Sequence, residues 1–369
     1  MKICSYVHPV STFTPCTGLG RHINNMVLGL DQSENVSQNL LVARKWIEAG
    51  GRLNKKSPLY KIPTKSFPFP ERIIEHSWKI MGLPYMDKWV DDSVDWVYCP
   101  AQTFLPFKKK KTAVTIHDIE AFETNLPWSN TKAHRHFRRK WSIWMGKVIK
   151  HTDLVFTVSD FTKNRMIKLL NAPAKKIKVI GNGVNTEIFT NNQPGPSRFD
   201  FPYVLVIGGL RERKGAPTIL KIAKQLETAK SDLRIVVVGQ NHEPYFSAAT
   251  SLKNIEVLGM ESDQALADLL SNAFGFLFLS YYEGFGIPVL EAMSAGIPVI
   301  ASNAASLPEV VGDAGILVHP EAASEVTAQL LCWIKNPAQR KEWIERGFEQ
   351  IKKYTWNNCI DNLLTAFKA

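Results

Sequence analysis

The sequence predicts an α/β protein with two domains, each built from alternating strands and helices. The chain has 369 residues, which is more than one hydrophobic core of ordinary size holds. Short apolar runs that fit buried parallel strands recur along the chain and alternate with helical patterns. Residues 191–197, Asn-Asn-Gln-Pro-Gly-Pro-Ser, have the proline and glycine content of a linker. We therefore expect one domain at residues 1–190 and a second that begins at residue 191.

The first half begins with a strand predicted at residues 2–7. The turn after it contains Gly18 and Gly20 and leads into a helix that extends to about Leu30. Two further short buried strands are predicted at residues 113–116 and 154–158, with helical patterns between them.

The second half restarts the strand pattern after the linker. Strands are predicted at residues 203–207, 234–238, 255–258 and 273–279. The last of these ends in a glycine-containing turn, and Pro288 then occupies the favoured first position of a helix. The turn therefore lies at the carboxyl end of a buried parallel strand.

This turn is the candidate binding site. Doubly wound sheets bind ligands at the carboxyl ends of their strands, and the backbone N–H groups of residues 285–289, including Phe285, Gly286 and Ile287, favour an anion such as a diphosphate. Two carboxylates flank it. Carboxylates accept hydrogen bonds from vicinal hydroxyls, so Glu291 suits a ribose and Glu283 suits a sugar ring. The implied ligand is a nucleotide-sugar.

The seventeen residues from 283 to 299, Glu-Gly-Phe-Gly-Ile-Pro-Val-Leu-Glu-Ala-Met-Ser-Ala-Gly-Ile-Pro-Val, resemble the signature of retaining glycosyltransferases of family 4. Four further segments are similar to motifs of that family: residues 158–161, 181–185, 206–215 and 302–315, the last preceding a strand at 316–318. The resemblance implies the GT-B fold, in which a cleft separates two Rossmann-like domains. It implies an acceptor-binding domain at 1–190, a nucleotide-sugar-binding domain at 191–350, and a helix at 351–369 that crosses back to the N-terminal domain.

The resemblance also assigns the cations that meet the departing diphosphate. Lys214 matches the phosphate-binding lysine of the family. Many relatives carry an arginine where Gly209 stands, so Arg213 is expected to be the second cation and Arg211 a weaker candidate. Lys214, Arg213 and Glu283 are the catalytic candidates of this domain, and Gly209 and Arg211 are placed at the donor.

In the N-terminal half, the resemblance places Gly18 and Gly20 beside the reacting sugar and the diphosphate, with Arg21 nearby. His117 and Asp118 follow a predicted strand and resemble the His-Asp pair of the family. We expect His117 to donate a hydrogen bond to the transferred sugar or to orient the acceptor. Asp118 would fix the tautomer of that histidine or hold a helix start.

Positive charge is concentrated in the first half of the chain. Residues 1–190 contain 29 Lys and Arg against 15 Asp and Glu, and residues 124–152 contain no acid. Within that stretch Arg135, Arg138 and Arg139 share one helical face, while Phe137 and the tryptophans 141 and 144 recur at helical spacing. Two interpretations stay open: a surface helix with a core-facing aromatic stripe and solvated charges, or a helix that docks on an anionic membrane. The chain lacks the usual nucleic-acid-binding modules, so no nucleic acid is expected as a partner.

Other patterns limit the chemistry and the compartment. The five scattered cysteines predict neither a disulfide framework nor a zinc site and favour a reducing compartment. The start of the chain does not resemble a signal peptide, and no apolar run approaches the ~20 residues that span a bilayer. Asp-x-Asp does not occur, so we expect no metal. We also expect no cofactor besides the donor substrate. The predicted location is the cytoplasm, peripheral to the inner face of the cytoplasmic membrane.

Together these observations predict a retaining, metal-independent hexosyltransferase. Its donor would be a GDP- or UDP-linked sugar, with mannose favoured. Its acceptor would be a saccharide or a lipid-linked saccharide of polysaccharide or lipopolysaccharide biosynthesis. Two alternatives remain: a nucleotide-sugar epimerase or hydrolase of the same fold, and a non-catalytic nucleotide-sugar-binding protein.

Overall fold

A computed structural model describes residues 1–8, 17–48, 50–187 and 195–369. The chain forms two compact units, Met1–Asn182 with Trp356–Ala369, and Gly183–Thr355. Residues 191–194 of the predicted linker lie outside the described residues. The chain therefore passes from the first unit to the second between residues 182 and 183, and returns between residues 355 and 356. The sequence predicted these boundaries at residues 190/191 and 350/351.

The first unit is built on a parallel sheet, in which the described residues form seven strands. These are β1 (Lys2–Tyr6), β2 (Ser37–Ala43), β3 (Thr64–Phe67), β4 (Trp96–Cys99), β5 (Lys111–Ile116), β6 (Leu154–Thr157) and β7 (Ile177–Val179). Its helices are α1 (Gly18–Gln32), α2 (Glu71–Ile80), α3 (Lys132–His151) and α4 (Asp160–Leu170). The strand order is β3-β2-β1-β4-β5-β6-β7, so the direction of winding reverses between β1 and β4.

The second unit repeats this plan with six strands among the described residues. These are β8 (Tyr203–Ile207), β9 (Arg234–Val238), β10 (Ile255–Val257), β11 (Gly275–Phe278), β12 (Val299–Ser302) and β13 (Ile316–Val318). Its helices are α5 (Ala216–Thr228), α6 (Tyr245–Ala249), α7 (Asp263–Ser271), α8 (Ile287–Ser294), α9 (Leu307–Val311), α10 (Ala323–Lys335) and α11 (Pro337–Ile351). The order β10-β9-β8-β11-β12-β13 reverses between β8 and β11. The structure thus confirms two parallel-sheet α/β domains.

The last helix, α12 (Trp356–Lys368), packs on the first unit, as the family resemblance implied. Phe367 stacks on Trp96 with ring centroids 4.6 Å apart, and Leu363 is fully buried. Gly29 of α1 permits this packing, because a Cβ there would lie 1.8 Å from Cδ1 of Ile360.

Helix α3 confirms the predicted basic helix but corrects the roles of its residues. Trp144 is buried in the core, whereas Phe137 is 46% exposed. Arg138 is not a solvated cation, because its guanidinium donates to the carbonyls of Ala121, Glu123 and Ser129 at 2.8, 2.7 and 3.2 Å. The prediction that all three arginines offer their charge to solvent is therefore wrong for Arg138. No helix among the described residues is long and apolar enough to cross a membrane.

Candidate functional site

Two loops meet at the carboxyl ends of β8 and β11, the neighbouring strands between which the winding reverses. The loop after β8 carries Arg211, Arg213 and Lys214, and the loop after β11 carries Glu283. The amide of Tyr281 donates to the carbonyl of Arg213 at 2.9 Å, which holds the two loops together. Ligands of doubly wound folds bind at this position of the sheet.

Glu283 is the centre of a cluster of charges in these loops. Its Oε1 accepts from Nζ of Lys214 at 2.5 Å and from the guanidinium of Arg213 at 3.1 Å. Arg213 also donates to the carbonyl of Tyr282 at 2.7 Å. The structure therefore brings together the three catalytic candidates of this domain.

Burial and charge act in opposite directions on this cluster. Burial alone would raise the pKa of Glu283, but the attraction of Lys214 and Arg213 outweighs it and holds that pKa below its ordinary value. Burial lowers the pKa of Lys214, and the Glu283 carboxylate opposes that shift. An ionised Glu283 therefore keeps two cations in place at the strand ends.

Arg211 does not join this cluster. Its guanidinium donates to Oε1 and to the backbone carbonyl of Gln240, at 2.5 and 3.3 Å. This geometry agrees with its ranking below Arg213 as a phosphate-binding candidate.

The backbone conformation at Gly209 explains why this chain lacks the arginine that many relatives carry at this position. Its φ is +75°, and a Cβ there would lie 2.0 Å from the backbone oxygen of Gln240. Gly215 is constrained in the same way, with φ +77° and a Cβ position 2.4 Å from the oxygen of Leu279. No side chain fits at Gly209 in this conformation, so the second cation must come from elsewhere in the loop.

The turn that contains Glu283 is fixed from behind by Ser306. Its hydroxyl is fully buried and lies 2.9 Å from the carbonyl oxygens of Glu283 and Phe285, to which it donates. Ser306 belongs to the segment at residues 302–315 that resembles a family motif. The resemblance marks that segment but does not predict this role of Ser306.

Helix α8 begins at Ile287 after Gly286, which has φ +114°. The predicted set of free N–H groups at residues 285–289 is too large, because Pro288 has none and Val289 donates to the oxygen of Gly286 at 3.0 Å. The remaining donors of the turn are Phe285, Gly286 and Ile287. Glu291 lies one turn into the helix and is 3% exposed.

The second group of candidate residues lies in the first unit. His117 follows β5, and its Nε2 donates to the carbonyl of Pro100 at 2.8 Å. His22 of α1 is fully buried with its ring centroid 4.6 Å from that of His117, and its Nδ1 lies 2.6 Å from Oδ1 of Asn182. No sequence pattern singled out His22 or Asn182, although both lie inside segments that resemble family motifs or follow the predicted glycine turn.

These contacts fix the protonation of the histidine pair. Burial lowers the pKa of His117 to about 4, and burial together with the neighbouring His117 lowers the pKa of His22 well below its ordinary value. Both rings are therefore neutral at pH 7. Because Nε2 of His117 already donates to Pro100, its Nδ1 is left as an acceptor in this structure, whereas a donor toward the sugar was expected.

The neighbours of these residues show which of the two roles expected of Asp118 the structure supports, namely holding a helix start. The oxygen of Pro100 fixes the tautomer of His117. Oδ1 of Asp118 accepts from the amide of Glu120 at 3.3 Å, which supports a short helical turn. Gly18 and Gly20 form the first turn of α1, since Thr17 caps the helix by accepting from the amide of Gly20 at 3.0 Å. Arg21 follows on the same helix.

Two family descriptions match consecutive parts of this chain. Residues 17–188 match "Glycosyltransferase Family 4", and residues 188–350 match "Glycosyl transferases group 1". The boundary between the matches falls close to the boundary between the two structural units.

Known proteins extend this similarity over the full length. The chain is 27% identical to O-antigen chain mannosyltransferase B of Escherichia coli, and the alignment covers 100% of both chains. Its fold is similar to that of sucrose-phosphate synthase from Thermosynechococcus elongatus, with TM-score 0.74, 15% identity, and coverage of 100% and 98%. It is also similar to Anabaena Alr3699/HepE in complex with UDP and glucose, with TM-score 0.70, 16% identity, and coverage of 100% and 99%.

Proposed function

This chain belongs to the group 1, family 4 glycosyltransferases, and we propose that it transfers a hexose from a nucleoside diphosphate sugar with retention of configuration. The observation that carries this proposal is the Lys214, Arg213 and Glu283 cluster at the carboxyl ends of β8 and β11. A leaving diphosphate gains negative charge as its bond to the sugar breaks, and two fixed cations stabilise that charge.

The cluster supplies the charge that a metal ion would otherwise provide, so we propose transfer without a metal. Lys214 and Arg213 would bind the diphosphate together with the N–H groups of the turn before α8. Glu283 would then give up part of its pairing with the two cations and accept hydrogen bonds from the hydroxyls of the sugar. Glu291 would accept hydrogen bonds from the ribose.

His117 would act on the sugar side of the reaction as a neutral acceptor. Its free Nδ1 suits a hydroxyl that donates, which orients the transferred sugar or the acceptor. We do not require it to remove the proton of the attacking hydroxyl. In a front-face transfer the leaving phosphate oxygen accepts that proton, and configuration is retained.

For the sugar and the setting, we propose mannosyl transfer from GDP-mannose to a saccharide or lipid-linked acceptor of lipopolysaccharide O-antigen. The full-length similarity to a protein named O-antigen chain mannosyltransferase B supports this choice. UDP remains the second nucleotide to test, because the Anabaena protein of similar fold was crystallised with it.

We also propose that the enzyme works in the cytoplasm, on the inner face of the membrane. The first unit carries exposed cations on α3, among them Arg135 and Arg139. The adjacent end of α2 exposes large apolar side chains, with Ile80 57% and Met81 65% exposed. Nζ of Lys147 donates to the carbonyl of Ile80 at 2.7 Å, which joins the two helices at this surface. Exposed cations and exposed apolar groups on two neighbouring helices suit an anionic lipid surface.

The test is incubation with GDP-mannose and with UDP-hexoses, with and without lipid-linked acceptor from O-antigen-producing bacteria. Product that requires the acceptor, with an anomeric configuration equal to that of the donor by NMR, would support the proposal. Release of free sugar at the same rate without acceptor would identify a hydrolase. Activity that disappears on addition of a chelator would overturn metal independence.

A further inference from the structure

The first unit contains a cavity of about 550 Å³ that the donor chemistry leaves unused. It lies where the winding of the sheet reverses, since His8 follows β1 and Gln102 follows β4. One wall comes from Lys79 of α2 and the other from Phe137 and Trp141 of α3. A crevice at this position of a doubly wound sheet is the expected place for a ligand.

Aromatic rings dominate the α3 wall. The rings of Phe137 and Trp141 are 5.3 Å apart, and those of Trp141 and Trp144 are 4.9 Å apart at an interplanar angle of 89°. Phe137 keeps 46% of its surface exposed even though it lines the cavity. A ligand with a flat apolar face would gain by covering these rings.

Two residues that line the same cavity each carry a buried polar atom without a partner. Nε1 of Trp144 and Oε1 of Gln102 make no hydrogen bond to any part of the chain that the structure describes. One is a donor and the other an acceptor, and a ligand hydroxyl satisfies both types. Both atoms are covered from solvent, so they would reach a ligand in the cavity only after their side chains rotate. An unpaired buried polar group is costly, which gives such a ligand a further gain.

We propose that this cavity binds a pyranose ring of the acceptor glycan, a role that rests on the proposed glycosyltransferase function. The C–H face of the ring would stack on Phe137 and Trp141. Its hydroxyls would bond to Trp144 and Gln102. The combination of an apolar face with closely spaced hydroxyls is what distinguishes a pyranose from a lipid chain or a free phosphate.

Binding is tested on full-length protein labelled with ¹⁵N at tryptophan, with the Trp144 indole signal assigned through Trp144→Phe. Methyl α-mannopyranoside, methyl α-glucopyranoside and methyl α-galactopyranoside serve as probes. At least one should shift the Trp144 signal, and Phe137→Ala should weaken that binding about tenfold. Ile143→Ala is the matched control, because Ile143 is an exposed apolar residue of the same helix that does not line the cavity. If no probe moves the Trp144 signal, or if both variants weaken binding equally, the proposal fails.

Kinetics separate this proposal from the proposed function. Phe137→Ala should raise the acceptor KM about tenfold and leave the donor KM and the thermal midpoint unchanged. Unchanged acceptor KM in a folded variant that transfers sugar would overturn the cavity assignment alone. The opposite result is also possible: a glycoside shifts the Trp144 signal of the wild type, but the protein transfers no sugar to any acceptor. That result would overturn the proposed function while the sugar-binding role of the cavity would stand.

Discussion

At the residue scale, the candidate donor site depends on one carboxylate that two cations share. Glu283 pairs with Lys214 and Arg213, so the loops after β8 and β11 are joined before any ligand arrives. The partly buried ion pair costs desolvation and contributes little net stability by itself. In the proposed mechanism, this pairing positions the cations for a diphosphate before the donor binds.

We expect the three basic residues of the β8 loop to differ in their effect on turnover. Lys214→Ala should lower kcat by roughly 10²-fold, because it removes a cation that stabilises the departing diphosphate. Arg213→Ala should lower kcat for the same reason. Arg211→Ala is the control, since Arg211 donates to Gln240 and should change kcat little. Steady-state kinetics decide, and a larger loss for Arg211→Ala than for Arg213→Ala would contradict the assignment.

His117 predicts how stability depends on pH. Its pKa of about 4 in the folded protein lies below the ordinary value of 6.5, so the unfolded chain binds more protons between these two pH values. The free energy of unfolding should therefore fall as pH decreases from about 6.5 toward 4, by about 2 kcal/mol between pH 7 and pH 5 from this residue. Urea unfolding at both pH values measures it.

The matched variants for that measurement are His117→Gln and His136→Gln. In His117→Gln, the difference in the free energy of unfolding between pH 7 and pH 5 should be smaller than in wild type by about 2 kcal/mol. In His136→Gln this difference should be unchanged, because His136 is exposed on α3. Equal pH dependence in wild type and His117→Gln would show that His117 is not held neutral by the fold.

At the element scale, two glycines determine the conformation of the loop that follows β8 in the second unit. Gly209 and Gly215 both have positive φ, and each approaches a backbone carbonyl more closely than any Cβ allows. The β8 loop can therefore fold tightly against its neighbours only with glycine at these positions. This packing sets where Arg213 and Lys214 stand.

Gly209→Ala should lower the free energy of unfolding by more than about 2 kcal/mol, from the strained φ and the clash with Gln240. Gly209→Arg, which restores the residue of many relatives, should destabilise at least as much and should not raise kcat. Gly259→Ala is the control, because a Cβ there meets no atom within 4 Å, and it should change stability by less than about 0.5 kcal/mol. A stable and more active Gly209→Arg would show that the loop adopts another conformation.

At the scale of the whole molecule, charge is distributed unequally between the two units. The excess of Lys and Arg lies in residues 1–190, while residues 191–369 carry 16 Lys and Arg against 19 Asp and Glu. Arg138 is used within the fold, so a membrane would be met by exposed cations such as Arg135 and Arg139 and by the apolar end of α2.

We expect replacement of Arg135 and Arg139 by Glu to weaken binding to anionic vesicles about thirtyfold or more, because each cation near the surface contributes about 1 kcal/mol. Lys221 and Lys224, exposed on α5 in the other unit, give a double variant of equal net charge that should bind like wild type. Sedimentation with vesicles at low and high salt measures both. Equal binding of the two variants would mean that α3 does not face the membrane.

Local sequence patterns were sufficient for much of this fold. The apolar runs predicted β1, β8 and β9 within a residue of their observed ends, because a buried parallel strand must be continuously apolar. The acidic pair around the turn before α8 marked the candidate donor site, and the sequence also predicted that this turn follows a strand and precedes a helix. Short strands such as β3 and β7 were not predicted, because three or four residues with mixed polarity carry too weak a periodic signal.

Only the tertiary structure decided what each polar side chain does, because that depends on which carbonyls and charges other segments bring near it. A basic residue on a helix looks solvated in sequence, yet Arg138 binds three carbonyls from another part of the chain. His117 looked like a donor until Pro100, from the neighbouring strand end, took its N–H. Gly209 looked like a lost arginine, and the backbone of Gln240 shows that no side chain fits there. The sequence by itself determined the helices and strands and which reactive side chains are available. The fold determined which of those side chains performs which role, because hydrogen bonds and close contacts between distant residues leave no periodic pattern in the sequence.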